Sequence, residues 1–494
     1  MSHLKISDYL FQRLAQLGIK TVFGVPGDYE LALLDLIGDA GVKFSGSANE
    51  LIASNAADGY SRINGAGAFV TTFGPGELSG YCGHAGAYAE FVPVVHVVGY
   101  PGVEAMREGR LMHHSLGDGR FGVYHEMAII LADGNIVRNH LTAEADKLAE
   151  LTRWPYFTTC MGKGGVNEEL PNYAGVYAGG GSIPEIRKAI EDDSDLVLWL
   201  GSYRTDFNTG EMTDFVDGKK IVDLQRFFTK IAGENFKVGM HSVLPALIAQ
   251  VKQDSSVVKK ESVKVSWDPY PAPAGQPDSS AALTQDYLWA TLPHLFQPGD
   301  LIIGETGTSA FGLAASRYPA GCKGYNQTVW GSIGYAGPSA VGSFLAAHEA
   351  GTLNRGILVT GEGSLQLTPM AFAEFLMLGL KPIVFVLKNG GYTVERLIHG
   401  KDAFYNAVPK WDYKQLSTVF GVGMESKYYG PIGTCGDFEA LVRSKDFRDG
   451  NCFQLVELIL GEMDAPASVG LSAAAIEAFN QKHAPKEAGA NLGG

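Results

Sequence analysis

The stretch "RGILVTGEGSLQLTPMAFAEFLMLGLKPIVFVLKNGGY", residues 355–392, constrains the fold more than any other part of the chain. Two short apolar, β-rich runs, "RGILVT" and "IVFVLKN", flank a segment where Thr368 can cap a helix and Pro369 can take its first position. Gly379 then marks the helix end and Pro382 opens the second strand. Strand, helix and strand at this spacing predict a parallel β-α-β crossover. Such a unit places Glu362 and Asn389 at the same carboxyl edge of a sheet, where ligands of open α/β sheets bind.

Two familiar phosphate-binding patterns fail here. Gln366 stands where the dinucleotide fingerprint needs its third glycine, which removes a dehydrogenase reading, and no G-K-[ST] follows for a P-loop. What remains is one carboxylate, one side-chain amide and glycine backbone. These hard oxygen donors suit Mg²⁺ or Ca²⁺, Mg²⁺ commonly with a ligand's phosphates, while the same pattern is more often an ordinary βα loop; by itself it leaves both open.

With 494 residues there is room for three α/β domains. Strands such as "TVFGVPG", "GAFVTTFGPG" and "PVVHVVGYPG" end in Gly/Pro turns and alternate with helical stretches over the first domain, 1–128. A second α/β unit spans 129–253, a polar, Pro-rich linker 254–283, a third α/β domain 284–470 and a frayed tail 471–494. The fold predicted is three doubly wound parallel-sheet domains.

A net charge of −14 excludes sequence-independent nucleic-acid binding. The five cysteines include no C-x-x-C pair, which predicts free thiols in a reducing compartment. The first residues read as an amphipathic helix and no run reaches the ~18 apolar residues of a membrane span, so a cytoplasmic protein is expected.

"GEGS" followed across the crossover by "KNGGYT" resembles the thiamine-diphosphate motif. In order along the chain, "FGVPGDYE", "SANELIASNAADGYSRI", "TTFGPGELSG", "LMHHSLGDG", "ETGTSAFG", "WGSIGY" and "GYTVERLIHG" resemble the fungal pyruvate decarboxylase family. The resemblance implies a pyrimidine-binding, a central and a diphosphate-binding domain, in a homodimer or dimer of dimers whose active sites lie between chains. It implies thiamine diphosphate and Mg²⁺ as cofactors, with Glu362, Asn389 and the Gly391 carbonyl as metal ligands. Thr308, Gly363 and Ser364 would lie at the diphosphate. The Gly331 carbonyl and Ile333 would hold the bent cofactor, and Glu50 would pair with its pyrimidine nitrogen. Asp28, His113, His114 and Glu395 would be catalytic, with Thr306, Ala310 and Val394 lining the substrate. The implied reaction converts pyruvate to acetaldehyde and CO₂ through an ylid and an enamine.

Each catalytic position also has an ordinary reading. Glu50 could be a helix-start carboxylate, Asp28 a turn residue, His113-His114 a surface pair, and Glu395 a solvated partner of His399. Two departures from the family stand out. The usual metal-binding Asp is Glu362, one methylene longer. After "FGVYHEMA" the family pattern resumes well inside the central domain at "IILADGN", which implies that roughly 60–70 residues are missing from a domain of ordinary size. The alternatives are therefore an indolepyruvate or phenylpyruvate decarboxylase, or a catalytically silent relative with a structural or regulatory role.

Overall fold

The computed structural model describes residues 6–101, 136–253 and 278–470, except 28, 195, 206, 211, 212, 399–401, 403 and 422, plus linker positions 265, 267, 268 and 270. Asp28, His113, His114, most of the linker and the 471–494 tail lie outside the described residues.

The first sheet consists of β1 (Thr21–Gly24), β2 (Lys43–Gly46), β3 (Gly67–Thr72) and β4 (Val94–Gly99), parallel in the order β2-β1-β3-β4. Period-two alternation separates its two faces. Val22, Ala68 and Val70 pack with Phe11 and Leu14 of helix α1 (Ile6–Gln16). Phe23 and Phe69 turn instead to Ala53, Ala56, Ala57 and Tyr60 of α2 (Glu50–Asn64). Asn49 caps α2 by accepting from Ile52 N–H at 2.9 Å, and Gly65 ends it in the left-handed region. Helix α3 (Pro75–Ala89) follows β3.

The central unit holds a parallel pair, β5 (Tyr156–Thr159) and β6 (Tyr173–Tyr177), and a four-stranded sheet. In that sheet β7 (Val197–Leu200) and β8 (Ile221–Leu224) are parallel, and an antiparallel ribbon of β9 (Thr229–Ile231) and β10 (Glu234–Phe236) extends them. The buried Lys163 ammonium ties this unit to its neighbours. It donates to Glu168 at 2.7 Å, to the linker's Tyr270 hydroxyl at 2.6 Å and to the Ser316 carbonyl of the third domain at 2.6 Å.

The third sheet is parallel throughout, in the order β12-β11-β13-β14-β16-β15. Its strands are β11 (Leu301–Gly304), β12 (Lys323–Tyr325), β13 (Gly356–Gly361), β14 (Ile383–Lys388), β15 (Ser426–Ile432) and β16 (Phe453–Ile459). Leu358, Val384, Val386 and Leu455 face one core; Ile357, Val359, Phe385 and Val456 face the other. Both faces are therefore buried, as near-continuous apolar strands require.

The first and third domains share a core because α2 lies directly on α4 (Ala336–Glu349). A methyl added at Gly59 would meet the Ser339 carbonyl at 1.9 Å, and one at Gly342 would meet the Ala56 carbonyl at 1.8 Å, so only glycine permits this approach. Asp58 accepts from the Tyr335 hydroxyl, and Ser343 Oγ donates to the Gly59 carbonyl at 2.8 Å.

One local expectation is corrected. Thr368 does not cap the crossover helix, because its hydroxyl donates to the Gly334 carbonyl at 2.7 Å. A one-turn helix α5 (Glu362–Leu365) begins directly after β13, and the main helix α6 (Ala371–Met377) starts later, ending before Gly379 at φ 67°.

Candidate active site

Parallel register carries the ends of β13 and β14 to one level, with Gly361 opposite Leu387, so Glu362 and Asn389 emerge side by side. Glu362 is buried; its Oε1 accepts from Gly390 N–H at 2.5 Å and its Oε2 from the Tyr413 hydroxyl at 3.4 Å. The longer glutamate stem thus reaches across to the loop after β14. Asn389 donates its amide nitrogen to Thr393 Oγ1 at 2.7 Å, which leaves its oxygen for another partner. Thr393 is itself anchored on the Glu462 carbonyl at 2.9 Å. Gly391 has φ 140°, and a methyl there would meet the Asn406 carbonyl at 1.9 Å.

Among the described residues no lysine or arginine pairs with Glu362. A buried carboxylate beside an amide oxygen and glycine carbonyls is a donor set that a hard divalent cation would satisfy. Gly363 and Ser364 sit in the same turn, and a methyl on Gly363 would strike the Tyr392 ring at 2.6 Å.

Thr306, Ala310 and Gly331 line one cavity of about 50 Å³, together with Phe311, Gln327 and, from the central unit, Cys160. Thr306 Oγ1 and Gln327 Nε2 are buried with no hydrogen-bond partner, so the cavity wall carries unspent polar groups. Thr308 is buried at the start of helix α7 (Thr308–Ala314). Ile333 is a branched apolar side chain left 39% exposed. Helix α8 (Thr393–Ile398) carries Val394, half-buried, and Glu395, exposed.

Glu50 lies in the first domain, at the start of α2. A methyl on Gly76 would sit 3.0 Å from its Oε1. The half-buried Glu50 carboxylate makes no hydrogen bond among the described residues. Contacts from the first to the third domain run instead through Ser47, Asp58, Tyr60 and Glu90, the last accepting from Val329 N–H at 2.8 Å.

Sequence reasoning missed Glu305, although it belongs to "ETGTSAFG". It is buried at the end of β11 and accepts from Thr306 N–H at 2.9 Å and Ala336 N–H at 3.2 Å, binding one cavity loop to the start of α4. Burial pushes its carboxyl up to about 7, against those backbone donors. The stability linked to this group is full below its unfolded value of 4.5 and is lost as pH rises towards 7. Glu305→Gln is expected to flatten that decline, by up to about 3 kcal/mol at slightly alkaline pH. Unfolding curves of both proteins at acid and alkaline pH measure it.

Residues 4–118, 124–247 and 305–431 match the families described as the N-terminal TPP binding domain, the central domain and the C-terminal TPP binding domain of thiamine pyrophosphate enzymes. Solved structures agree on the fold. A thiamine diphosphate-dependent 4-hydroxybenzoylformate decarboxylase from Rhodococcus jostii RHA1 superposes with TM-score 0.66 at 15% identity, over 92% of this chain and 99% of that one. A thiamin diphosphate-dependent enzyme from Mycobacterium smegmatis gives TM-score 0.67 at 16% identity, over 92% and 100%. The fold and the three domains define a thiamine-diphosphate enzyme. Pyruvate decarboxylase from Hanseniaspora uvarum is 35% identical over 575 residues, and isozyme 1 from Saccharomyces cerevisiae 35% over 569, each covering 98% of this chain and 100% of the relative. The chain belongs to the pyruvate decarboxylase family.

Proposed function

We propose that the protein decarboxylates a 2-keto acid without oxidation, pyruvate to acetaldehyde and CO₂, using thiamine diphosphate and Mg²⁺ bound between two copies of the chain. The observation that carries this reading is the oxygen-donor set of Glu362, Asn389 and Gly391 at the carboxyl edge of β13 and β14, the edge at which the loop after neighbouring β11 enters the cavity of Thr306, Ala310 and Gly331. Bound there, the cofactor supplies the electron sink that a 2-keto acid needs to lose CO₂. Glu362, Asn389 and the Gly391 carbonyl would hold the metal, and Thr308, Gly363 and Ser364 the diphosphate. The Gly331 carbonyl and Ile333 would hold the cofactor between them, and Glu50 of a second copy would serve as the proton partner of its pyrimidine. Asp28, His113, His114 and Glu395 would move protons at the substrate, the work of positioned acid–base side chains. A mostly apolar cavity poorly solvates the substrate carboxylate and so favours its loss.

Ala310 and Val394 are assigned to the substrate pocket, and comparing turnover of pyruvate and phenylpyruvate tests the choice between pyruvate and an aromatic keto acid. The proposed missing segment draws support from alignments with the fungal enzymes that run over 569 and 575 positions, longer than this chain. A silent relative would bind the cofactor and release no CO₂ from any keto acid. We place the protein in the cytoplasm, a reading supported by five free cysteines. Among the described residues no helix is long and apolar enough to cross a membrane. Mg²⁺ is expected to raise thiamine-diphosphate affinity in a titration of apo-protein; an affinity indifferent to Mg²⁺ removes the metal assignment.

A further inference from the structure

Helix α6 carries a single charged residue, Glu374, and it lies in the contact between the first and third domains. The side chain is 3% exposed, among Ala371, Phe372 and Phe375, which belong to the shared core. Its Oε2 accepts from Ser47 Oγ at 3.4 Å, the neighbouring Ala48 N–H also acts on the carboxyl, and its Oε1 is buried without a hydrogen-bond partner. Ser47 and Ala48 form the short link between β2 and Asn49, the cap of α2, and the next residue is Glu50.

We propose that Glu374 is a positioning residue: from the third domain it grips the Ser47–Ala48 link and thereby sets where Glu50 stands. This rests on the assignment of Glu50 made above. The grip joins the helix that follows the Glu362 turn to the residue expected to act in a partner's site, so the two ends of one chain are mechanically connected.

Burial raises the Glu374 carboxyl to about 7, against the Ser47 and Ala48 donors. Among the described residues no cation or second carboxylate acts on it. Of the helices packed on α6, α4 has His348 and Glu349 in its last turn, where Glu349 accepts from Thr21 and Tyr60. A second, Leu416–Phe420, has no charged residue. As pH rises through about 7 the carboxyl ionises without a counter-charge, and a buried unpaired charge loosens the contact around it.

The test uses the full-length protein, Glu374→Gln and Ser47→Ala. In the unsubstituted protein, amide exchange at Ala48–Glu50 is expected to accelerate several-fold as pH is raised from about 6 to about 8, beyond the intrinsic rate increase, and kcat for pyruvate to fall over the same interval. Glu374→Gln, which keeps the side chain's shape, should remove both changes, and Ser47→Ala should accelerate exchange at Ala48–Glu50 already at the lower pH. An exchange profile shared by the unsubstituted protein and Glu374→Gln, or Ser47→Ala without effect on exchange, overturns the proposal. If exchange behaves as expected and no CO₂ is released by any of the three proteins, the grip stands and the decarboxylase reading falls. If exchange responds and the kcat profiles of the unsubstituted protein and Glu374→Gln coincide, Glu374 is structural and its positioning role is overturned.

Discussion

Glu50→Gln is expected to lower kcat for pyruvate by roughly 10²–10⁴-fold, the range lost with a general acid–base group. Stabilisation of the protein by thiamine diphosphate and Mg²⁺ should persist, because metal and diphosphate are assigned to the other domain. The substitution is close to isosteric and removes no hydrogen bond among the described residues; the Asn49 cap that starts α2 is untouched. CO₂ release and a thermal-shift titration with cofactor separate the two effects. A kcat within tenfold of the unsubstituted protein would show that Glu50 is not the pyrimidine's proton partner.

Two inactive variants are expected to restore one another. Glu362→Gln keeps an acceptor for Gly390 N–H but removes the charge assigned to the metal. Hybrid dimers of Glu50→Gln and Glu362→Gln chains carry both lesions in one site and none in the other, if the site is built from the first domain of one copy and the third of its partner. Random pairing in a two-fold dimer then leaves about a quarter of all sites intact, and the purified hybrid about half. Co-expression with two affinity tags, purification of the hybrid and a decarboxylation assay measure this. Hybrids as inactive as either parent would place both residues in a site within one chain.

The β13–α6–β14 unit is legible from its apolar strands, Gly379 and Pro382, because local periodicity and punctuation are written into neighbouring residues. The level of Glu362 with Asn389 follows from parallel register alone. Thr368 misleads for the opposite reason: as a cap it competes with a carbonyl 34 residues earlier, at Gly334, which local pattern does not see. Gly59 and Gly342 likewise look like weak points inside helices until the helices touch, when each is the only residue that fits.

By itself the sequence determined the α/β class, the family, and which oxygen donors end β13 and β14, since these depend on short-range pattern and residue identity. Tertiary structure alone decided that Thr306 and Gln327 face a cavity with unspent polar groups, that Cys160 of another domain lines it too, and that Glu305 and Glu374 are buried. A carboxyl's proton affinity is set by the water and dipoles around it, and those come from segments far apart along the chain.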